Sequence, residues 1–493
     1  MNKRENFQVV KIIVILFVFV LTFCGTGDDN QNGDPVISSL SPSSRAVHMP
    51  GFTLTVRGTG FSAYSSIYFD DKEQVTNFIS TGELSCFINS DLTASFPGSS
   101  NVLPGGPDSA AGIPVLVNNG GGHISETSYF TVRDNNSFNA STLITSGISN
   151  SFNPSIALGL NDVIFIAYER YDDSTGDYFV SVIRSEDGGE AWTDPVDVFS
   201  SDQKIYNPEI VSKSDGTLYI TFYNLRLYFS SSSDSGKTWS SAQILSFDTP
   251  TPIESRIAVD GSGNIHVLWL LTSYYHDTNI YFRRSSDGAL TFSSAVNISS
   301  DKNNFSSVYS PCLAASNGGI YAGWTAWPSG GSRYSYVYAN RSDDNGDTWT
   351  PKDKYFGVCS SPDVAAGSGS SVYLVLSSSY LPFSNQIVLF RSEDGGVNMG
   401  TRIPVTSESD DTFPFIRIDK VGNLNIIFKR GDAHYYTRSI DGGDTWTAPL
   451  FVTDRTSHIY NDCLTSMALD TRGNMYIVTE YDNSGILYLS TSY

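Results

Sequence analysis

The sequence of 493 residues is poor in positive charge, with 30 Lys and Arg against 51 Asp and Glu. Its formal net charge is -21 and its pI is about 4.5. Nucleic acids and anionic lipid headgroups would be repelled by such a surface, since both carry negative charge. The composition therefore predicts no nucleic-acid partner and no basic groove.

Cysteine is also scarce. The five cysteines are widely separated, so they do not form the dense pattern of a disulfide framework, and no histidines are spaced with them for zinc. They are Cys24, Cys86, Cys312, Cys359 and Cys463. Beyond Cys24, we expect buried small apolar residues, and we expect no metal site and no cofactor.

Long apolar patterns with helical spacing are few. The sequence instead holds 42 Gly, 28 Tyr and 29 Phe, and its short alternating runs are separated by turn residues. This pattern is typical of an all-β chain, and the length is sufficient for more than one domain.

The N-terminus has the features of an export signal. Lys3, Arg4 and Lys11 precede an apolar run at residues 12–23, which is too short to cross a bilayer comfortably. The following LTFCG resembles a bacterial lipoprotein box, which implies acylation of Cys24. We expect a signal at residues 1–24, a flexible tether at 25–33 and an outer-membrane or cell-surface lipoprotein anchored only by lipid. Plain signal cleavage and an uncleaved anchor are the alternatives.

Residues 34–133 form a first predicted domain. Short alternating strands separated by glycine-containing turns suit an immunoglobulin-like sandwich of about 100 residues. The segments ISSLSPSS, PGFTLTVRGTGF and VLVNNGGGHISETSYFTV resemble the IPT/TIG family in content and order. The resemblance implies a spacer or binding module without catalytic residues. Residues 134–140 are the expected linker.

The rest of the chain, residues 141–493, is organised around a repeated eight-residue motif. Its copies are SEDGGEAW, SSDSGKTW, SSDGALTF, SDDNGDTW, SEDGGVNM and SIDGGDTW. The third residue of each copy is an aspartate: Asp187, Asp234, Asp287, Asp344, Asp394 and Asp441. A repeat of about 50 residues is typical of β-propellers.

Each repeat contains four short strands, beginning with an inner strand such as the one that starts Asn153-Pro154. Seven inner strands can be aligned. The last repeat stops after its third strand, at residues 487–493, whereas residues 141–146 resemble an unpaired fourth strand. If these two segments pair, the ring closes without an open edge. We therefore predict a seven-bladed propeller, with six blades as the alternative.

The motif resembles the Asp-box (BNR) repeat of propellers that include sialidases, other glycoside hydrolases and non-enzymatic receptors. The resemblance implies a structural role for the six aspartates. Asp and Gly favour tight turns, and the final aromatic residue is expected between sheets. The copy SDDNGDTW lacks the spacing and distal Glu of a calcium loop.

Ligands of propellers usually meet the face where the inner strands start, so residues near those starts are expected to surround the central channel. They are Ser155, Glu209, Arg256, Cys312, Asp363, Phe415 and Ser466. Glu209, Arg256 and Asp363 are the strongest candidates. A sialidase resemblance would imply an arginine triad, a Tyr nucleophile with a Glu, and an Asp acid/base. Only Arg256 matches that register, and Arg417 lies further along its strand. Arg402-Ile403-Pro404 has the letters of the family motif but is expected on an outer strand.

Aromatic residues follow several second strands. Trp327, Tyr274 and Tyr334 lie in Gly/Ser-rich loops and are candidates for contact with a ligand. For residues within the strands, core packing is the simpler interpretation; these are Tyr168, Tyr223, Trp269 and Trp324.

Two functions are consistent with the sequence. The first is a non-catalytic surface protein whose propeller binds a glycan or a protein. The second is a sialidase-like glycoside hydrolase that uses Glu209 or Asp363 as acid/base and Arg256 for an anionic sugar. Glu209 and Arg256 are also compatible with a structural pair between blades.

Overall fold

The computed structural model describes most of the chain after the N-terminal segment. The described residues are 34–41, 44–46, 52–89, 110–133, 138, 142–144, 150–246, 251–272, 278–299, 305–316, 319–328, 334–350, 354–381, 384–407, 410–453, 465–480 and 487–492. Cys24 and Tyr274 lie outside these residues.

The first domain is a sandwich of two sheets. One sheet has the order β1-β3-β7-β6 and the other β2-β9-β8-β4-β5. The strands are β1 Val36–Ser41, β2 Ser44–Ala46, β3 Phe52–Thr59, β4 Ser66–Phe69, β5 Lys72–Gln74, β6 Thr76–Ser80, β7 Glu83–Ile88, β8 Ala110–Asn118 and β9 Ser128–Arg133. Alternate residues such as Leu54, Val56, Val115 and Val117 are fully buried between the sheets. The predicted immunoglobulin-like sandwich is confirmed.

The rest of the described chain is a β-propeller, as predicted. Its sheets are four-stranded units that we number as blades in chain order. Blade 1 holds β11 Ser151–Leu158, β12 Ile164–Asp172, β13 Asp177–Ser185 and β14 Val196–Ser201. Blade 2 holds β15 Tyr206–Ser212, β16 Leu218–Tyr223, β17 Leu227–Ser232 and β18 Gln243–Ile244. Blade 3 holds β19 Thr251–Val259, β20 Ile265–Thr272, β21 Thr278–Ser285 and β22 Val296–Asn297.

Blades 4 and 5 share one long strand, β26, which is the outer strand of blade 4 and then the inner strand of blade 5. Their strands are β23 Phe305–Ser316, β24 Gly319–Pro328, β25 Tyr336–Ser342, β26 Lys354–Ala366, β27 Val372–Leu381, β28 Ser384–Ser392 and β29 Ile403–Pro404. Blade 6 holds β30 Asp411–Ile418, β31 Leu424–Arg430, β32 Ala433–Ser439 and β33 Leu450–Thr453. The helical element in the described chain is a 3-10 turn at Leu160–Asp162.

The last blade is built from both ends of the propeller sequence. It holds β34 Thr465–Leu469, β35 Met475–Glu480, β36 Leu487–Ser492 and, as its outer strand, β10 Thr142–Leu143. Thr142 pairs with Leu489 and Leu143 with Tyr488. The Ile144 amide also donates to the Leu487 carbonyl at 2.9 Å. The pairing expected from the missing fourth strand is therefore present, and inner strands β11 and β34 are in contact.

The repeated motifs form tight turns that we call box turns. In each, the Ser hydroxyl donates to the aspartate, and the aspartate accepts the amide four residues further on. In the turn of Asp441 these bonds are 2.8 and 2.9 Å. The Thr445 hydroxyl also donates to Asp441, and this bond is the main reason that the pKa of Asp441 falls to about 2. The aspartates therefore stabilise the turns in which they lie.

In the box turn of Asp441, two features favour glycine at position 443. Gly443 has a φ of +97°, a conformation that L side chains rarely adopt. A Cβ there would also come within 2.4 Å of Leu389 in the preceding blade. The box turn thus lies directly against the neighbouring sheet.

The last residue of each box turn packs between its own blade and the preceding one. Trp349 meets Phe282 with ring centroids 5.0 Å apart, and Phe292 meets Phe229 at 5.1 Å. Burial of such a ring contributes about 1.5–3 kcal/mol. The box residues are therefore part of the apolar contact that holds successive blades together.

In four blades an arginine immediately before the box serine makes a second link to the next blade. Its guanidinium donates to a backbone carbonyl in the box turn of the next blade, and the pairs are Arg184 to Ser235, Arg284 to Asp344, Arg341 to Gly395 and Arg391 to Gly442. Blade 2 has Ser231 at this position. These links give a structural reason for the arginine that precedes the box serine in these four repeats.

Cys86, Cys312 and Cys359 are buried free thiols, as expected from their scatter. Across the described residues, no helix is both long enough and apolar enough to span a membrane.

Removal of one arginine link should destabilise the propeller. Arg341→Ala loses the 2.6 Å hydrogen bond to Gly395, so we expect a loss of about 1 kcal/mol in the free energy of unfolding. The measurement is the urea midpoint of purified protein. Ser231→Ala, at the same register without a link, is the matched control. Equal midpoints for both variants would contradict a stabilising role for the link.

Candidate functional site

The ring of inner strands surrounds a central channel. It has a volume of about 710 Å³ and is lined by the first strand of every blade. The seven residues predicted to surround it all belong to its lining: Ser155, Glu209, Arg256, Cys312, Asp363, Phe415 and Ser466. The structure thus brings Glu209, Arg256 and Asp363 together and adds Arg417 to them.

Five of the inner strands contain an irregular turn near the channel entrance. A residue with a positive φ precedes a proline there, and the strand pairing shifts by one residue. These positive-φ residues are Asn153, Asn207, Ser310, Ser361 and Phe413. A bulge of this kind redirects the side chains that follow it.

The channel residues after these bulges hydrogen-bond to the next blade. The Ile210 amide donates to the Ser155 hydroxyl at 3.1 Å, and the Ile416 amide donates to the Asp363 carboxylate at 2.8 Å. The Ile257 amide makes the same kind of bond to Glu209. Serine and carboxylate residues therefore perform one shared task, which is to join neighbouring inner strands.

The two channel arginines have matching conformations. The Nη1 of Arg256 donates to the Ser255 carbonyl at 2.8 Å, and that of Arg417 donates to the Ile416 carbonyl at 2.7 Å. Arg417 also lies 3.3 Å from the Asp363 carboxylate, and its guanidinium is 3.7 Å from the centroid of the Phe415 ring. Its side chain remains 39% exposed, so part of its charge faces the channel.

Burial raises the pKa of Glu209 to about 7, although Arg256 and Arg417 act in the opposite direction. Its Oε2 is buried and has no hydrogen-bond partner within the described structure. Burial also raises the pKa of Asp363, against the effect of Arg417. Near neutral pH, the charge balance of the channel therefore depends on whether Glu209 holds a proton.

A second pair of carboxylates, Glu169 and Glu480, meets at Asn153, where the last blade contacts blade 1. The backbone amide of Asn153 donates to Glu480 at 3.0 Å, and its side-chain amide donates to Glu169 at 2.5 Å. Glu169 also accepts the Asn207 amide at 2.6 Å. Glu169 and Glu480 are almost completely buried. Burial raises the pKa of Glu169 to about 7 and also raises that of Glu480.

A pair of stacked tyrosines that the sequence interpretation missed lies beside Asn207 of the channel lining, without being part of that lining. Tyr206 stacks on Tyr223 with ring centroids 5.5 Å apart, and the Lys204 Nζ lies 4.9 Å from the Tyr206 ring. Tyr206 is 37% exposed. Sequence reasoning searched for aromatics after second strands, whereas Lys204 and Tyr206 come directly before the Asn207-Pro208 start of an inner strand.

Trp327 lies within β24, opposite Ser307 of β23, so the loop expected for it is wrong. Tyr334 lies between β24 and β25, as expected. The two residues are 36% and 56% exposed, and neither belongs to the described channel lining. Tyr274 falls outside the described residues. The strand aromatics Tyr168, Tyr223, Trp269 and Trp324 are buried, as the core interpretation predicted.

The position of Arg402 agrees with the outer strand expected for it. Arg402 directly precedes β29, which is the outer strand of blade 5. In the described portion of the chain, no group of three or more His, Cys, Asp or Glu side chains is arranged to hold a metal ion.

Comparison with known proteins identifies the first domain. Residues 35–132 match the IPT/TIG domain. A search of curated proteins found no similar sequence.

Solved structures share the fold of the propeller at low sequence identity. An ulvan lyase of polysaccharide lyase family PL25 is 12% identical with a TM-score of 0.50, over 71% of this chain and 95% of its own. The Hadza microbial sialidase Hz136 is 12% identical with a TM-score of 0.41, over 83% and 76%. The α-L-arabinanase of Penicillium chrysogenum is 13% identical with a TM-score of 0.41, over 72% and 98%. At these identities the likeness concerns the fold alone.

The buried Glu169 should make stability depend on pH. Its folded pKa of about 7 lies above the ordinary value, so its contribution is present at low pH and is lost as pH rises through 7. We expect Glu169→Gln, which keeps an acceptor for both Asn residues, to gain stability relative to wild type between about pH 5 and pH 8. Urea unfolding at several pH values measures this difference. The exposed Glu190→Gln serves as control and should follow wild type; a Glu169→Gln curve parallel to wild type would refute the assignment.

Proposed function

We propose that this chain is an exported, lipid-anchored bacterial surface protein whose propeller binds an anionic glycan in its central channel without cleaving it. The main support is that Arg256 and Arg417 both line the channel. The two carboxylates of the channel, Glu209 and Asp363, accept hydrogen bonds from the neighbouring blades. In this proposal the IPT/TIG domain separates the propeller from the lipid on Cys24.

The channel favours a small ligand or the end of a chain over a flat protein surface. A concave site of about 710 Å³ lies in the range of ligand-binding clefts. Guanidinium groups recognise carboxylate and sulfate groups, and the Tyr206 ring beside the channel lining offers a face for a sugar. The ulvan lyase with the same fold is named as a polysaccharide-active protein, which agrees with a glycan ligand.

The hydrogen bonds of the acids favour binding over hydrolysis. Asp363 is engaged by the Ile416 amide and by Arg417. Ser155 and Ser466 make equivalent bonds between blades, and serine cannot replace a catalytic carboxylate. No tyrosine occurs in the lining that the structure describes, so that lining lacks the nucleophile of a sialidase.

A glycoside hydrolase is the second candidate, and Glu209 is the observation that favours it. The pKa of Glu209 is about 7, and Arg256 is close enough to lower it. One carboxyl oxygen of Glu209 has no hydrogen-bond partner in the described structure. These are properties of a general acid. Turnover of fluorogenic sialosides, abolished by Glu209→Gln or Asp363→Asn, would establish this function in place of simple binding.

The binding proposal predicts a dependence on the channel arginines. On an array of uronate-containing, sulfated, sialylated and neutral glycans, we expect binding of anionic members only. Arg256→Ala should weaken the best ligand about tenfold or more, because a charged hydrogen bond is lost. Arg402→Ala, on the exterior of blade 5, is the matched control. Equal weakening by both variants, or preference for neutral glycans, would contradict the proposal.

Affinity should also change with pH. Below about pH 7 Glu209 is protonated, so Asp363 carries the negative charge opposite Arg256 and Arg417. Above this pH the two carboxylates neutralise the two arginines. We therefore expect an anionic glycan to bind about tenfold more tightly at pH 6 than at pH 8, a difference of ~1.4 kcal/mol. Titration calorimetry measures this ratio. In Glu209→Gln the ratio should approach one, and an unchanged ratio would exclude Glu209 as its source.

The anchor makes a separate prediction. Acylation at Cys24 would place the protein in the detergent phase of Triton X-114 and allow labelling with radioactive palmitate. Cys24→Ala should lose both properties, whereas Cys86→Ala, in the buried core of the first domain, should retain them. A Cys24→Ala protein that is still labelled would show that the lipid is elsewhere.

A further inference from the structure

The junction between blades 4 and 5 contains a second cavity, distinct from the channel. Its volume is about 340 Å³. Its described lining is mostly apolar and comes from both blades, including Ala322, Ala339, Leu374, Val397 and Met399. A cavity with apolar walls is poorly suited to water, which needs two to four polar partners.

The repeats explain why the cavity occurs at this junction. Two positions normally meet there: the last residue of a box turn and the residue three before the box serine in the preceding blade. Trp446 accordingly packs in one cluster with Leu389, and Trp349 against Phe282. The remaining normal pairs are Trp192 with Leu489, Trp239 with Val182, and Phe292 with Phe229.

At the junction of blades 4 and 5 both partners are smaller. Met399 replaces the Trp or Phe of the other box turns, and Ala339 replaces the Leu, Val or Phe of the preceding blade. The backbone is nevertheless the same, because the turn of Asp394 keeps its hydrogen bonds to Ser392 and Asn398. The side chains are therefore smaller at this junction, while the turn that carries Met399 keeps its form.

A graded comparison supports this explanation. At the junction of blades 1 and 2 the preceding residue is Val182, intermediate between Ala339 and the larger side chains. That junction holds a smaller cavity of about 170 Å³. Of these two cavities, the smaller one therefore lies beside the larger side chain at this position.

We propose that the cavity between Ala339 and Met399 is a binding site for a small flat aromatic molecule of about the size of indole. The other box turns indicate the ligand class, because an indole or phenyl ring occupies the equivalent space in five of the six. Apolar cavities in proteins do bind such rings, and a larger void with no occupant would sacrifice packing contacts. This site does not depend on the proposed glycan function.

Indole itself is the probe, and thermal unfolding of the full-length protein is the first readout. A ligand that binds only the folded state raises its stability, so millimolar indole should raise the melting temperature of the propeller by about 1–2 °C. Met399→Trp should fill the cavity and abolish the shift. Ala339→Leu should fill the cavity from the opposite wall. It is the alternative test variant if the Met399→Trp protein does not fold.

Trp446→Met provides the matched gain of function. It shortens the box residue at the junction of blades 5 and 6, so indole should raise its melting temperature more than that of wild type. Crystals soaked in 5-bromoindole locate the probe directly, with the bromine signal expected between Ala339 and Met399. Absence of a shift in wild type, a shift unchanged in the filled variants, or bromine found only elsewhere would each overturn the site.

Discussion

The pairing of Leu143 with Tyr488 is the contact on which the propeller depends. A row of four-stranded sheets has unpaired edges at both ends, and such edges are open to wrong pairing. Joining residues 142–144 to β36 makes the last blade from distant parts of the sequence and brings β34 against β11. With this closure, the inner strands that the structure describes surround a common channel. The channel, its charges and its entrance are consequences of a short antiparallel pairing.

Within the closed ring, neighbouring blades are joined at three levels. Near the channel, Ser155, Glu209 and Asp363 accept amides from the next inner strand. Further out, the last side chain of each box turn packs against the preceding sheet, and an arginine before the box serine donates to the next turn. Different side chains meet these shared demands at different blades. A different side chain at one position of the repeat can therefore add a charge, as Glu209 does, or leave a cavity, as Met399 does. The fold is the same in both cases.

This repetition explains how much could be predicted. Alignment of the repeats was sufficient for the inner strands and the closing pair, and it placed Glu209, Arg256 and Asp363 around the channel because equivalent positions occupy equivalent places. It could not give the burial of Glu169 and Glu480, since a carboxylate at the end of a second strand resembles an exposed loop residue in sequence. Lys204 and Tyr206 were missed for a related reason: the ring contacts beside Asn207 join residues whose significance appears only when β15 and β16 pair.

By itself, the sequence determined the local rules of the protein: alternating strands, Asp and Gly turns, a period of about 50 residues and a fourth strand displaced to the start of the repeat region. These properties depend on near neighbours and on spacing along the chain. Only the tertiary structure decided that Arg417 joins the charges of the channel and that burial favours the protonated form of Glu209. It also decided where the small side chains of Ala339 and Met399 leave a cavity. Those outcomes depend on distances between sheets and on exclusion of water, which arise once the ring has closed.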